Sequence, residues 1–174
     1  MQGCMSGFGG MEQVQLSEGL AQLKSEHPPL LEKLDGLYEL TQKVDREINL
    51  EDTFPQLIED VKIFISELEP HSEREEGVLF RMMEKYTGLG TGPIAVMEYE
   101  HDQAKMFIGT FLDKTNKEAV LSLEDQKKYA GLIKNAYFTL TEHFAKEENV
   151  LFPMAERMLT GEEKEELLAR IREI

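Results

Sequence analysis

Two decamers in this chain share one skeleton, HSEREEGVLF at residues 71–80 and HFAKEENVLF at residues 143–152. In each, a glutamate follows a histidine by four positions, and a second glutamate, one variable residue and Val-Leu-Phe come next. On an α-helix, positions +4, +7, +8 and +11 from the histidine share one face. That face carries Glu75, Val78, Leu79 and Met82 after His71, and Glu147, Val150, Leu151 and Met154 after His143. An imidazole and a carboxylate therefore occupy a surface that is otherwise apolar. Glu76 and Glu148, at +5, turn away by roughly 140°. Both are expected to reach water, and their truncation is expected to be nearly silent.

The chain has four histidines, and the other two also come in matched settings. His27 follows Glu26 in SEHPPLLEKL, and His101 follows Glu100 in YEHDQAKMFI, on a face with Met97, Ala104 and Ile108. His27 and His71 are 44 residues apart, and His101 and His143 are 42 apart. The pattern reads as two copies of a helix pair, each giving one isolated His and one His-x-x-x-Glu. In an antiparallel bundle this brings four imidazoles and two carboxylates to one depth. Burying them together costs several kcal/mol per charge unless something compensates. Two cations supply that compensation: the imidazoles act as neutral donors, and the carboxylates bridge ions roughly 3.5–4 Å apart. A nitrogen and oxygen donor set disfavours copper(I) and iron–sulfur chemistry and suits iron, with zinc or manganese as substitutes. A single H-x-x-x-E is an ordinary surface pair. Four histidines, one per predicted helix, with the decamer duplicated, favour a metal site.

The elements that must position these groups are all helical in period. Leucines from Leu16 to Leu40 outline one stripe, expected to be interrupted at Pro28-Pro29, with His27 pushed away from α geometry. A second helix is expected from an N-cap at Thr53, with Pro55 in its first turn and a kink at Pro70, to about Tyr86. The glycines of residues 87–93 break the chain. Pro93 opens a third helix to about Lys117, and Ser122 with Asp125 caps a fourth that extends to about Leu159. Thr160 and Glu163 mark a short C-terminal helix over residues 161–172. The predicted fold is all-α: an up-down-up-down four-helix bundle over residues 12–159, with a short helix in 160–174 packed on it. Met82, Met83, Met97, Met106 and Met154 are expected to fill the core. Glu67, Tyr99 and Tyr137 are candidates for supporting contacts to the site.

Composition narrows the function classes. A chain of 174 residues with 41% apolar and 30% charged residues is a single globular domain. Its net charge of −15 repels phosphate, so nucleic acid and anionic membrane surfaces are not expected partners. The glycine-rich opening of residues 1–11 reads as a flexible tail without the features of a signal peptide. One cysteine, Cys4, rules out an internal disulfide and fits a reducing cytoplasm. No catalytic nucleophile motif, phosphate-binding glycine loop or cysteine metal motif is present.

Over about residues 16–158, the motifs EHPPL, HSEREEGVLF, EHDQ and HFAKEENVLFP together resemble the hemerythrin-like family of HHE cation-binding domains. Ferritin-like bundles differ, because they use two Glu-x-x-His motifs and this chain has one, Glu98 to His101. The resemblance implies a non-haem di-iron centre, two Fe ions with an oxo or hydroxo bridge. Its ligands by motif position are His27, His71, Glu75, His101, His143 and Glu147. At least one coordination position would be open to a small diatomic ligand, O2 or NO, which the protein would bind or sense. Oxygen-carrying hemerythrins have a fifth histidine and an aspartate bridge; Met97 stands here one turn before His101. The four-His, two-Glu set is similar to bacterial proteins of iron–sulfur centre repair, which implies the alternative of an iron donor or a weak peroxide-reactive enzyme. Those proteins usually add an N-terminal domain with adjacent cysteines. A monomer or small homo-oligomer is expected.

Overall fold

A computed structural model of the chain describes residues 13–117 and 120–174. The expected tail of residues 1–11, Cys4 included, lies outside them. Among the described residues there are helices and no strands. Helix α1 spans Glu18–Asp45. Helix α2 runs as Leu50–Arg74, passes through a π-helical turn over Glu75–Leu79, and ends as Phe80–Thr87. Helix α3 is Gly92–Lys117. Helix α4 repeats the plan of α2: Leu123–Lys146, a π turn over Glu147–Leu151, then Phe152–Met158. A short α5, Gly161–Ile171, follows. Helix α1 packs on α2 and α4, and α3 on α4 and α2, which closes an up-down-up-down bundle; α5 lies against α1 and the π turn of α2.

Local chemistry explains most of the boundaries. Ser122 accepts the Asp125 N–H, and Thr160 with Glu163 forms a reciprocal capping box, satisfying donors that open α4 and α5. Gly88, Gly90 and Gly92 have φ of 89°, 68° and 71°, a left-handed path that a side chain would resist. Three expectations need correction. Helix α1 does not break at Pro28-Pro29, and His27 is helical. Pro28 and Pro29 free the carbonyls of Lys24 and Ser25, and all four residues sit on the exposed face, where water replaces the lost bonds. Helix α2 contains Pro70 within its span. It begins at Leu50 behind a left-handed Asn49, whereas Thr53 is buried and donates its hydroxyl to the Ile48 carbonyl at 2.9 Å.

The core is two apolar blocks. One holds Leu30, Leu34, Leu57, Phe64, Leu68, Ile108, Phe111, Ile133 and Leu140. The other holds Leu20, Leu23, Leu79, Phe80, Met83, Met97, Leu151 and Phe152, closed over by Leu167 and Ile171 of α5. Every long helix crosses from one block to the other at or just beyond its histidine: Leu23–His27–Leu30, Leu68–His71–Val78, Met97–His101–Ala104 and, with Phe144 still in the first block, Leu140–His143–Leu151. A layer of ionisable groups thus divides the bundle. Met82, Met83 and Met97 pack in the core as expected and Met154 packs partly, but Met106 is 50% exposed because it is two residues past Ala104 on α3. Val78 is buried while its counterpart Val150 is 53% exposed, and α5 packs against the first π turn.

Candidate metal centre

The six side chains picked out by spacing meet inside the dividing layer, each no more than 2% exposed. They form two groups of donor atoms, each group within 4.8 Å: His27, His71, Glu75 and Glu147 in one, and His101, His143, Glu75 and Glu147 in the other. The two glutamates belong to both. Glu75 lies between His71 Nε2 (3.3 Å) and His101 Nε2 (3.4 Å). Glu147 lies between His143 Nε2 (2.8 Å) and His27 Nε2 (3.1 Å). Despite these separations, the Nε2 atoms of His27, His71 and His143 and both oxygens of Glu75 and Glu147 are buried without a hydrogen-bond partner. Unsatisfied groups at this density are expensive in a protein interior. Donors of this kind, converging in two overlapping sets, fit a pair of divalent cations.

The outer nitrogen of each imidazole has a carboxylate of its own. His71 Nδ1 meets Glu26 at 2.6 Å, His143 Nδ1 meets Glu100 at 3.0 Å, His101 Nδ1 meets Glu76 at 2.6 Å, and His27 Nδ1 meets Glu148 at 2.9 Å. Such a partner fixes the tautomer, keeping the proton on Nδ1 and the Nε2 lone pair facing inward. Sequence reasoning missed these four glutamates as partners and assigned Glu76 and Glu148 to solvent. They are only about one-third exposed (30% and 31%) and each is bonded. The signal was present in the repeat itself, since Glu26 and Glu100 precede the isolated histidines while Glu76 and Glu148 are the second glutamates of the decamers.

The π turns explain how adjacent glutamates act together. In each, an N–H donates five residues back, from Phe80 to the Glu75 carbonyl and from Phe152 to the Glu147 carbonyl. With the wider turn, Glu75 and Glu76 address the two nitrogens of one ring, His101, and Glu147 and Glu148 do the same to His27. The phenylalanine that ends each decamer then stacks on that same ring, Phe80 on His101 at 5.7 Å and Phe152 on His27 at 5.6 Å. Phe144 adds a closer stack on His27, at 4.4 Å. These rings exclude water and hold the imidazoles flat against an apolar wall.

Electrostatics follow from the same contacts. Burial would lower the pKa of His71, but the Glu75 charge and the Glu26 hydrogen bond outweigh it and raise it to about 10. His143 rises to about 9 against burial, through its hydrogen bond to Glu100 and the nearby Glu147 carboxylate. His101 is also raised against burial, by Glu75 and Glu76. Burial alone would raise Glu75, yet His71 and His101 hold it well below the ordinary carboxylate range. Glu76 is lowered to about 2, burial being overcome by His101 and Lys105. These shifts favour the protonated forms of His71, His101 and His143 when no cation is bound. Glu67 is not part of it: it is exposed and pairs with Lys33 at 3.3 Å. Tyr99 is 64% exposed, and Tyr137 donates to Asp35 at 3.3 Å and stacks on Tyr38. Among the described residues, no helix is long and apolar enough to cross a membrane.

Comparison with known proteins agrees with this geometry. Residues 18–155 match the family described as hemerythrin HHE cation binding domain. The chain is 33% identical over 134 residues to the iron-sulfur cluster repair protein YtfE of Musicola paradisiaca (strain Ech703), and 35% identical over 136 residues to that of Yersinia pestis (strain Pestoides F). YtfE of Yersinia pseudotuberculosis (serotype O:3, strain YPIII) is likewise 35% identical over 136 residues. Each match covers 72% of this chain and 59% of the relative, so the chain spans about three-fifths of the length of these curated relatives.

Proposed function

The chain belongs to the hemerythrin HHE cation-binding domain family, and from that premise we propose that it is a non-haem di-iron protein that binds or senses O2 or NO. The observation that carries this reading is the pair of buried donor groups sharing two glutamates. One Fe would be held by His27 and His71, the other by His101 and His143, with Glu75 and Glu147 common to both. Two imidazoles per ion plus shared carboxylates leave room for a diatomic molecule, and iron supplies the redox-active centre that such a molecule needs. The protein's own contribution is orientation and dryness. Glu26, Glu76, Glu100 and Glu148 fix the four rings from behind, and Phe80, Phe144 and Phe152 keep water off them. Anaerobic iron loading followed by titration with each gas tests the reading: an absorption change is expected with at least one. No change with either gas, in protein carrying two irons, would end it.

A second reading is favoured by the name shared by the relatives, iron-sulfur cluster repair protein. Here the centre donates iron to damaged iron–sulfur proteins, or reacts slowly with peroxide. It predicts iron transfer to an apo-cluster acceptor, or peroxide turnover, that Glu147→Ala abolishes. Absence of both in the iron-loaded wild type would leave gas binding as the sole function of the site.

A further inference from the structure

The internal duplication makes a mismatch between its two copies visible. Three of the four outer carboxylates are clamped by a second, cationic partner. Glu26 pairs with Arg74 at 3.2 Å, Glu76 with Lys105 at 2.9 Å, and Glu100 with Lys146. Glu148 has its bond to His27 Nδ1, and no lysine or arginine among the described residues pairs with it. The positions explain why. Arg74 and Lys146 stand three residues after His71 and His143, one in each copy. Lys105 stands four after His101, and the matching position four after His27 is Leu31, which packs against the core. Glu148 is therefore the one outer carboxylate that lacks a cationic partner among the described residues, although Phe144 and Phe152 still stack on the ring it holds.

The surroundings differ in the same sense. Glu148 lines a surface cavity of about 810 Å³, together with Lys24, Val150, Pro153, Met154 and Arg157, beside the second π turn, and neither Lys24 nor Arg157 forms an ion pair with it. Glu76 lines a smaller one of about 580 Å³ in which Arg81 and Lys105 are present. A carboxylate without a clamp, beside open volume, swings away more often than one held by a lysine. When it leaves, the His27 Nδ1 loses its hydrogen-bond partner and the ring's grip on an ion weakens. Lys105 also repels the ion it stands behind, but from beyond the carboxylate, with solvent screening in between.

We propose that the two cation positions are kinetically unequal, the ion held by His27 and His71 being the exchangeable one because Glu148 lacks the clamp that Lys105 gives Glu76. The inference rests on the binuclear reading of the site and assigns it a direction: cations enter and leave past Glu148, while the ion at His101 and His143 stays.

Transfer of ferrous iron from the loaded full chain to a colorimetric ferrous chelator tests this directly. One equivalent should leave fast and one slowly, at rates separated about tenfold or more. Leu31→Lys, which supplies the missing clamp, should slow the fast phase toward the slow one. Lys105→Leu, at a position 39% exposed where folding is not at risk, should speed the slow phase toward the fast one. Two irons leaving the wild type at one rate, or biphasic release unmoved by Lys105→Leu, would overturn the inference while leaving the binuclear reading intact. Uptake of fewer than two irons by the wild type would remove both.

Discussion

At the scale of single residues, the centre depends on a chain of contacts two bonds deep. Each imidazole is gripped from behind by a carboxylate, at 2.6–3.0 Å, and this changes what truncation should do. Glu76→Ala and Glu148→Ala, expected from the helical wheel to be silent, should instead weaken metal binding by about 10–100-fold. Competitive chelator titration would measure it, and unchanged affinity in both variants would deny them an orienting role. The pH response of the ion-free protein follows from His71 at about 10 and His143 at about 9. Both lie above the unfolded value near 6.5. Their contribution is therefore complete below that pH and lost as pH rises through 9 to 10. Thermal melts of ion-free protein should show Tm falling between pH 7 and pH 10, whereas the loaded protein should hold steady. A flat ion-free profile would mean that protons do not balance the layer. The six ligand candidates were legible in the sequence because helical period alone puts +4 on the histidine's face. The outer glutamates were not, because period says which way a side chain points and not what the neighbouring helix presents there.

At the scale of elements, the two π turns are the feature that spacing could not reveal. A five-residue π segment inside a helical stretch of 38 residues (Leu50–Thr87) or 36 residues (Leu123–Met158) leaves the apolar pattern almost unaltered, so Glu75–Leu79 and Glu147–Leu151 read as ordinary α-helix. The Val-Leu-Phe tail of each decamer was visible as a repeat, but its purpose appears only with Phe80 and Phe152 stacked on rings from neighbouring helices. The prolines misled for a related reason. Pro28-Pro29 interrupts a helix in isolation, yet here the cost falls on a solvated edge. A π turn is one residue more than an α turn, so removing that residue should restore the regular ladder. Deletion of Asn149 should leave far-UV helicity within a few per cent of wild type while lowering metal affinity at least about tenfold, as Glu147 and Glu148 cease to face His27 together. Retained affinity would show that the wider turn has no part in ligand placement.

At the scale of the molecule, four-helix topology, the number of long helices and the C-terminal cap were all readable from breaks and capping signals. The common depth of the histidines and glutamates was readable too, but the split of the apolar core into two blocks was not, since leucine stripes look continuous in sequence whether or not a polar layer crosses them. That layer has a mechanical consequence. The block containing Leu20, Leu79, Phe80, Leu151 and Phe152, with α5 against it, is separated from the other block by the buried histidines and glutamates. Apolar contact, the main source of cooperativity between parts of a domain, is weakest at that seam. Ions bound there would tie all four long helices together at one level. Amide protons of residues 78–83 and 151–155 should then exchange with deuterium as one cooperative unit in the ion-free protein, well before those around Leu57 and Ile133. On loading, the two sets should merge into a single opening event, so that filling the centre sets how much of the bundle unfolds at once.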